Sequence, residues 1–118
     1  RQLARELTAC GFSLNLQSRQ EPFGMVIIES MRAGCIVLAS PVGAYPELIR
    51  DGENGFLMGG AHSDPGTHRR AADLILELTR RPAAADAIRR RAIAAPLDWD
   101  EVAQRWEEHW QRMLQRIL

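Results

Sequence analysis

Lysine is missing altogether. All 15 basic residues are Arg, spread over every segment, and 15 acidic residues cancel them. A neutral chain offers no electrostatic footprint for nucleic acid or an anionic membrane, so an anionic ligand would have to be met locally. Cysteine is scarce as well. Cys10 and Cys35 stand far apart in apolar surroundings, with none of the spacings of a zinc site, a redox pair or a disulfide framework, which fits a reducing, cytoplasmic setting. No apolar run approaches the roughly 18 residues of a membrane helix, so no transmembrane segment is expected. The chain opens on Arg1, without an initiator Met or a signal peptide, and a fragment is the expectation; a long periodic helix at the other end reads as a natural terminus.

What is present is the composition of one ordinary globular domain, 118 residues with 46% hydrophobic side chains. Leu3, Ala4, Leu7 and Ala9 recur at helical spacing until Gly11 breaks the pattern. Phe12, Leu14 and Leu16 then alternate with Ser13, Asn15 and Gln17, the period-2 mark of a strand. A polar loop, Ser18 to Gly24, leads to a short apolar helix from Met25 to Ala33, stopped by Gly34, and Ile36 to Ser40 reads as a continuous buried strand. Pro46 to Arg50 is a helical turn, Asp51 to Gly55 a tight turn, and Gly55 to Met58 a third strand. A loop is expected from Gly59 to about Arg69. Helices follow over about 70–81, 83–95 and 98–118, separated by Pro82 and Pro96. Strands alternating with helices imply a parallel α/β sheet with right-handed crossovers. Three strands account for about one half of a doubly wound domain, so the sheet is expected to be a partial Rossmann-like one with a helical C-terminal tail.

The chemistry concentrates in Glu21-Pro22-Phe23-Gly24-Met25-Val26-Ile27-Ile28-Glu29. Its helix is apolar nearly all round, which predicts burial and leaves Glu29 needing a hydrogen-bonding partner. Glu29 is therefore expected mostly buried, its carboxylate turned to the mouth of the sheet. The amides of Phe23, Gly24 and Met25 at the helix N-terminus form a phosphate-binding end, and Gly24 leaves room for a ligand to approach the backbone. One turn on, Glu29 can accept two hydroxyl hydrogen bonds, as a carboxylate facing a ribose diol does.

At this point the residues carry a resemblance. Glu21 and Glu29, with seven residues between them around Pro22-Phe23-Gly24, resemble the paired-glutamate motif of family-4 retaining glycosyltransferases of GT-B fold. The likeness runs on through Ala33-Gly34, Ser40-Pro41-Val42-Gly43, Pro46-Glu47-Leu48, the turn from Asp51 to Gly55 and Phe56-Leu57, and resumes at Asp98-Trp99 and Trp106. It implies that residues 1–118 are the C-terminal portion of a nucleotide-sugar-binding domain, including the C-terminal helices from about residue 70. It implies a catalytic role for Glu21, which contacts hydroxyls of the transferred sugar; ribose binding by Glu29; and donor contacts from Phe23, Gly24 and Met25. It further implies sugar transfer with retention to an unknown acceptor, no cofactor beyond the nucleotide-sugar substrate, no essential metal, and a separate N-terminal Rossmann domain. A cytoplasmic enzyme with room for a peripheral membrane contact follows. Gln17 and Gly43-Ala44 depart from the family's usual Pro and Gly-Gly, and its Arg/Lys phosphate clamp belongs upstream. Two other readings stay open: a GT-B-like nucleotide-sugar epimerase, and a truncated, non-catalytic interaction domain.

Elsewhere the plainer reading holds. His62, His68 and His109 lack the spacing of metal ligands, Cys35 reads as a small core residue, and Arg89-Arg90-Arg91 as a solvated helix face. Trp99, Val102, Ala103, Trp106, Trp110, Met113 and Ile117 trace one face of the last helix at core spacing, part of it fit for a partner domain.

Overall fold

The computed structural model describes residues 11–18, 24–95 and 99–117. The expected first helix and the residues Glu21 and Phe23 lie outside them. Three strands form one parallel sheet in the order β1 (Phe12–Asn15), β2 (Ile36–Ala39), β3 (Phe56–Leu57). Helix α1 (Met25–Arg32) links β1 to β2, and the single turn α2 (Tyr45–Leu48) lies between β2 and β3. Three longer helices follow: α3 (Pro65–Arg80), α4 (Pro82–Ala94) and α5 (Trp99–Ile117). The α/β fold read from the alternation of patterns is the fold observed.

The central strand decides the layering. All four residues of β2 are buried, and because successive side chains point to opposite faces, they serve two cores. Val37 and Ala39 join Ile27, Ile28 and Met31 of α1, Tyr45 and Leu48 of α2, and Ala92 of α4. Ile36 and Leu38 join Ala71 and Leu78 of α3 and Ala85 and Ile88 of α4. Helices therefore cover both faces, the arrangement that parallel sheets require.

Helix α1 ends as its glycine demands. Gly34 stands at φ +84°, its N–H bonds the Met31 carbonyl, and the Cys35 N–H bonds the Ser30 carbonyl, which together satisfy two orphan carbonyls of the last turn. Arg32 adds a positive charge at the negative end of the helix dipole.

Several boundaries differ from the sequence reading. β1 stops at Asn15 because the ladder ends there: the Ser40 N–H still bonds the Asn15 carbonyl, but beyond it the Gln17 N–H goes to the Ser40 Oγ. β3 is only two residues long, and the Leu57 N–H is taken by the Asp51 carboxylate rather than by a further strand. The expected loop up to Arg69 is half helix. α3 starts at Pro65, where Asp64 in extended conformation caps the Gly66 amide and Pro65 supplies a fixed φ at the first helical position.

The arginine run is more engaged than a solvated face. Arg90 pairs with Asp86 one turn earlier, Arg91 donates to the Glu53 carbonyl, and the half-buried Arg89 lies 6.0 Å over the Phe12 ring. Helix α5 is tied to α2 by Arg105 and Glu47 at 3.4 Å. The described part of its aromatic stripe is not core: Trp106 is half-buried and stacks on Trp110, while Trp110, Met113 and Ile117 are exposed. Among the described residues no helix is long and apolar enough to cross a membrane.

Candidate functional site

Parallel strands bring their carboxyl ends to one edge, and each is followed there by a loop carrying small or polar residues. Leu16 to Ser18 leave β1, Ser40 to Gly43 leave β2, and Met58 to Gly60 leave β3. Helix α1 runs back from this edge, so its N-terminus sits at the place where open α/β sheets take ligands.

Gly24 is the N-cap of α1, at φ +62° and ψ +30°, in the left-handed region that residues with a Cβ adopt at a cost. It has no side chain to cap the helix, and the first intrahelical bond is from the Ile28 N–H to its carbonyl, at 3.1 Å. The amides of Met25, Val26 and Ile27 thus have no partner within the helix, and no acidic side chain occupies the first turn. Donor-rich and positive, that end suits an anion.

Glycine at position 24 also serves packing inside the protein. A Cβ there would overlap Leu48 Cδ1 and meet Tyr45 Cδ1 at 3.7 Å, so its missing side chain serves the contact between α1 and α2. Glu29, one turn into α1, is half-buried rather than mostly buried. The helix is not covered all round: Met25 and Val26 are 39% and 41% exposed, because among the described residues only the face bearing Ile27, Ile28, Ser30 and Met31 meets the sheet and its neighbours. The structure therefore places Gly24 at the start of α1 against Leu48, Met25 at its first position and Glu29 one turn along. Glu21 and Phe23, three and one residues before Gly24, are outside the described residues.

A cleft of about 730 Å³ between α5 and the body lies elsewhere, lined by Ile28, Met31 and Leu48 with Arg32, Arg50, Arg91, Arg105 and four glutamates. Its charges balance, and Gly24, Met25 and Glu29 are not among its lining residues.

Sequence reasoning missed a polar chain beside the site. Asn15 Nδ2 donates to Ser13 Oγ at 3.0 Å, Ser13 Oγ lies 3.2 Å from Ser30 Oγ, and Ser30 Oγ donates to the Val26 carbonyl at 2.7 Å. The signal was the polar side of the β1 alternation, Ser13 and Asn15, which faces α1 rather than solvent.

Fold and site together define a parallel α/β unit with a helix N-terminus at its carboxyl edge. The sequence profile of the family described as Glycosyl transferases group 1 matches residues 8–95, and the chain belongs to that family. It is similar to the glycogen synthase of Bordetella bronchiseptica, 37% identical over 113 residues, a match covering 86% of this chain and 22% of that protein. Among solved structures it is similar to Anabaena HepE in complex with UDP and glucose, with TM-score 0.70, 28% identity, and coverage of 94% of this chain and 30% of that one. The same protein in complex with UDP-glucose gives TM-score 0.64 at 27% identity, over 92% of this chain and 29% of that one. The chain thus spans less than a third of the length of each of these relatives.

Proposed function

We propose that the protein containing this chain is a retaining glycosyltransferase of the family-4, GT-B kind, moving a sugar from a nucleoside-diphosphate donor to an acceptor hydroxyl. The observation that carries the reading is the start of α1: a left-handed Gly24 N-cap, with no side-chain cap bond among the described residues, at the carboxyl edge of a parallel sheet, with Glu29 one turn along. In this reading the donor diphosphate accepts from the α1 amides, Glu29 accepts from the ribose hydroxyls, and Glu21 accepts from hydroxyls of the transferred sugar. As the bond between the anomeric carbon and the diphosphate breaks, negative charge grows on the leaving oxygens, and fixed amide dipoles stabilise it without reorganisation. The acceptor oxygen takes the anomeric carbon and passes its proton to the departing diphosphate oxygen. No resident metal takes part. A relative crystallised with UDP and glucose and with UDP-glucose supports a nucleotide-sugar donor, and glucose is the first sugar to try. Scarce, widely separated cysteines support a cytoplasmic setting.

The test uses the full-length protein. Calorimetric titration with UDP-, ADP- and GDP-glucose should give saturable binding of at least one, displaced by the matching nucleoside diphosphate. NMR of the product formed from that donor should show the donor's anomeric configuration. Failure to bind any nucleotide sugar would sink the assignment, and an inverted product would overturn retention.

A further inference from the structure

The Asn15–Ser13–Ser30 chain has a fixed direction. Ser30 spends its only proton on the Val26 carbonyl, so the hydrogen in the Ser13–Ser30 contact comes from Ser13, and Ser13 accepts in turn from the Asn15 amide. Donation runs one way, Asn15 to Ser13 to Ser30 to Val26, and such chains strengthen each member. The chain connects backwards as well. The Asn15 carbonyl accepts from the Ser40 N–H, and Ser40 Oγ accepts from the Gln17 N–H. One polar thread therefore joins the exit of β1, the exit of β2 and the first turn of α1, all at the carboxyl edge.

Its place in the packing is unusual. Ser30 is fully buried between Glu29 and Met31, opposite β1, where a parallel sheet ordinarily meets its helix through apolar side chains. Apolar contacts tolerate small slides of a helix along the sheet, whereas a directed hydrogen bond between two short hydroxyls fixes both the depth of the helix and its rotation. The anchored carbonyl belongs to Val26, within the turn whose amides point outward, and Glu29 follows three residues later.

We propose that Ser13, Asn15 and Ser30 are positioning residues for the donor: they hold the first turn of α1 at the depth and rotation that present its amides and the Glu29 carboxylate. This rests on the donor-site reading of α1 above. None of the three touches the donor; they act through α1.

The experiment measures donor affinity in the full-length protein, with whichever of UDP-, ADP- or GDP-glucose binds most tightly as the probe. Ser13→Ala and Ser30→Ala should each raise Kd about fivefold to tenfold, the loss of one buried hydrogen bond expressed at the site. The double variant should be no worse than either single one, because the chain is broken once. Ser13→Thr, which keeps the hydroxyl, should restore wild-type affinity. Ile88→Val, a buried change in α4 on the opposite face, should lower Tm comparably and leave Kd unchanged. Wild-type affinity in both alanine variants, or an equal loss in Ile88→Val, would overturn the positioning role while leaving the donor site standing. A wild-type protein that takes up none of the three probes would refute the donor reading itself, and this inference with it.

Discussion

Gly24 and Leu48 are packed closely at the start of α1: a Cβ on Gly24 would overlap the Leu48 Cδ1 methyl of α2. Steric closeness and a left-handed backbone coincide at this residue, whereas at Gly34, with φ +84°, an added Cβ would meet Ile93 Cδ1 at an ordinary 3.6 Å. The two glycines therefore separate strain from overlap. Gly34→Ala should cost about 1–2 kcal/mol, the left-handed penalty alone. Gly24→Ala should cost that and a further ~1–3 kcal/mol of overpacking. Thermal unfolding of the full-length variants should show the larger drop in Tm for Gly24→Ala. Leu48→Ala should cost less in the Gly24→Ala background than in wild type, since it removes the overlapping methyl. Equal Tm for the two glycine variants would show that α2 yields freely.

Glu29 is assigned to the ribose, which gives a test in the ligand as well as in the protein. Glu29→Ala should weaken donor binding about 10- to 100-fold, the range for hydrogen bonds to a charged group. A donor whose ribose lacks the 2′-hydroxyl should bind wild type more weakly, yet lose little further in Glu29→Ala. If the deoxy donor suffers equally in both proteins, the carboxylate contacts something else. Glu21→Ala, by contrast, should depress turnover more than affinity, and steady-state kinetics beside calorimetry would separate the two effects.

Asp64 caps α3 through the Gly66 amide. Asp64→Ala should destabilise the protein by about 1 kcal/mol and Asp64→Asn by much less, because the amide oxygen keeps the cap. Denaturant midpoints of the two variants check this.

The same residue shows what was legible and what was not. Asp64-Pro65 is a helix-start signal in plain view, but the glycines and polar residues around it gave the segment the composition of a loop. The β2 strand was legible because four apolar residues in a row have one explanation in a parallel sheet. So was the Gly34 stop of α1, since a left-handed end needs glycine. The packing role of Gly24 was not legible, because Leu48, the residue it accommodates, lies 24 positions away and no local pattern links them. The exposure of Met25 and Val26 escaped for a related reason. An apolar helix predicts burial on all sides, but burial depends on which neighbours are present. Ser13 and Asn15 were legible as one polar strand face, but the bond from Ser13 to Ser30, and with it the one from Asn15 to Ser13, depends on which helix covers that face.

Finally, the β1 edge bears on the chain taken alone. Among the described residues β1 pairs only with β2, and Leu14 is 54% exposed, with Met25 and Val26 of α1 also exposed nearby in the sequence. An open strand edge carrying an exposed leucine is a template for pairing with another chain. The 118-residue polypeptide, expressed by itself, should sediment as a concentration-dependent mixture of monomer and oligomers. Leu14→Lys should shift it toward monomer, since a charge on an edge strand opposes edge-to-edge pairing. Trp110→Glu on α5 tests the competing surface, where Trp110, Met113 and Ile117 are exposed. If the tryptophan variant dissociates the oligomer and the leucine variant does not, association runs through α5. A monomer at every concentration would show that neither face is sticky enough to matter.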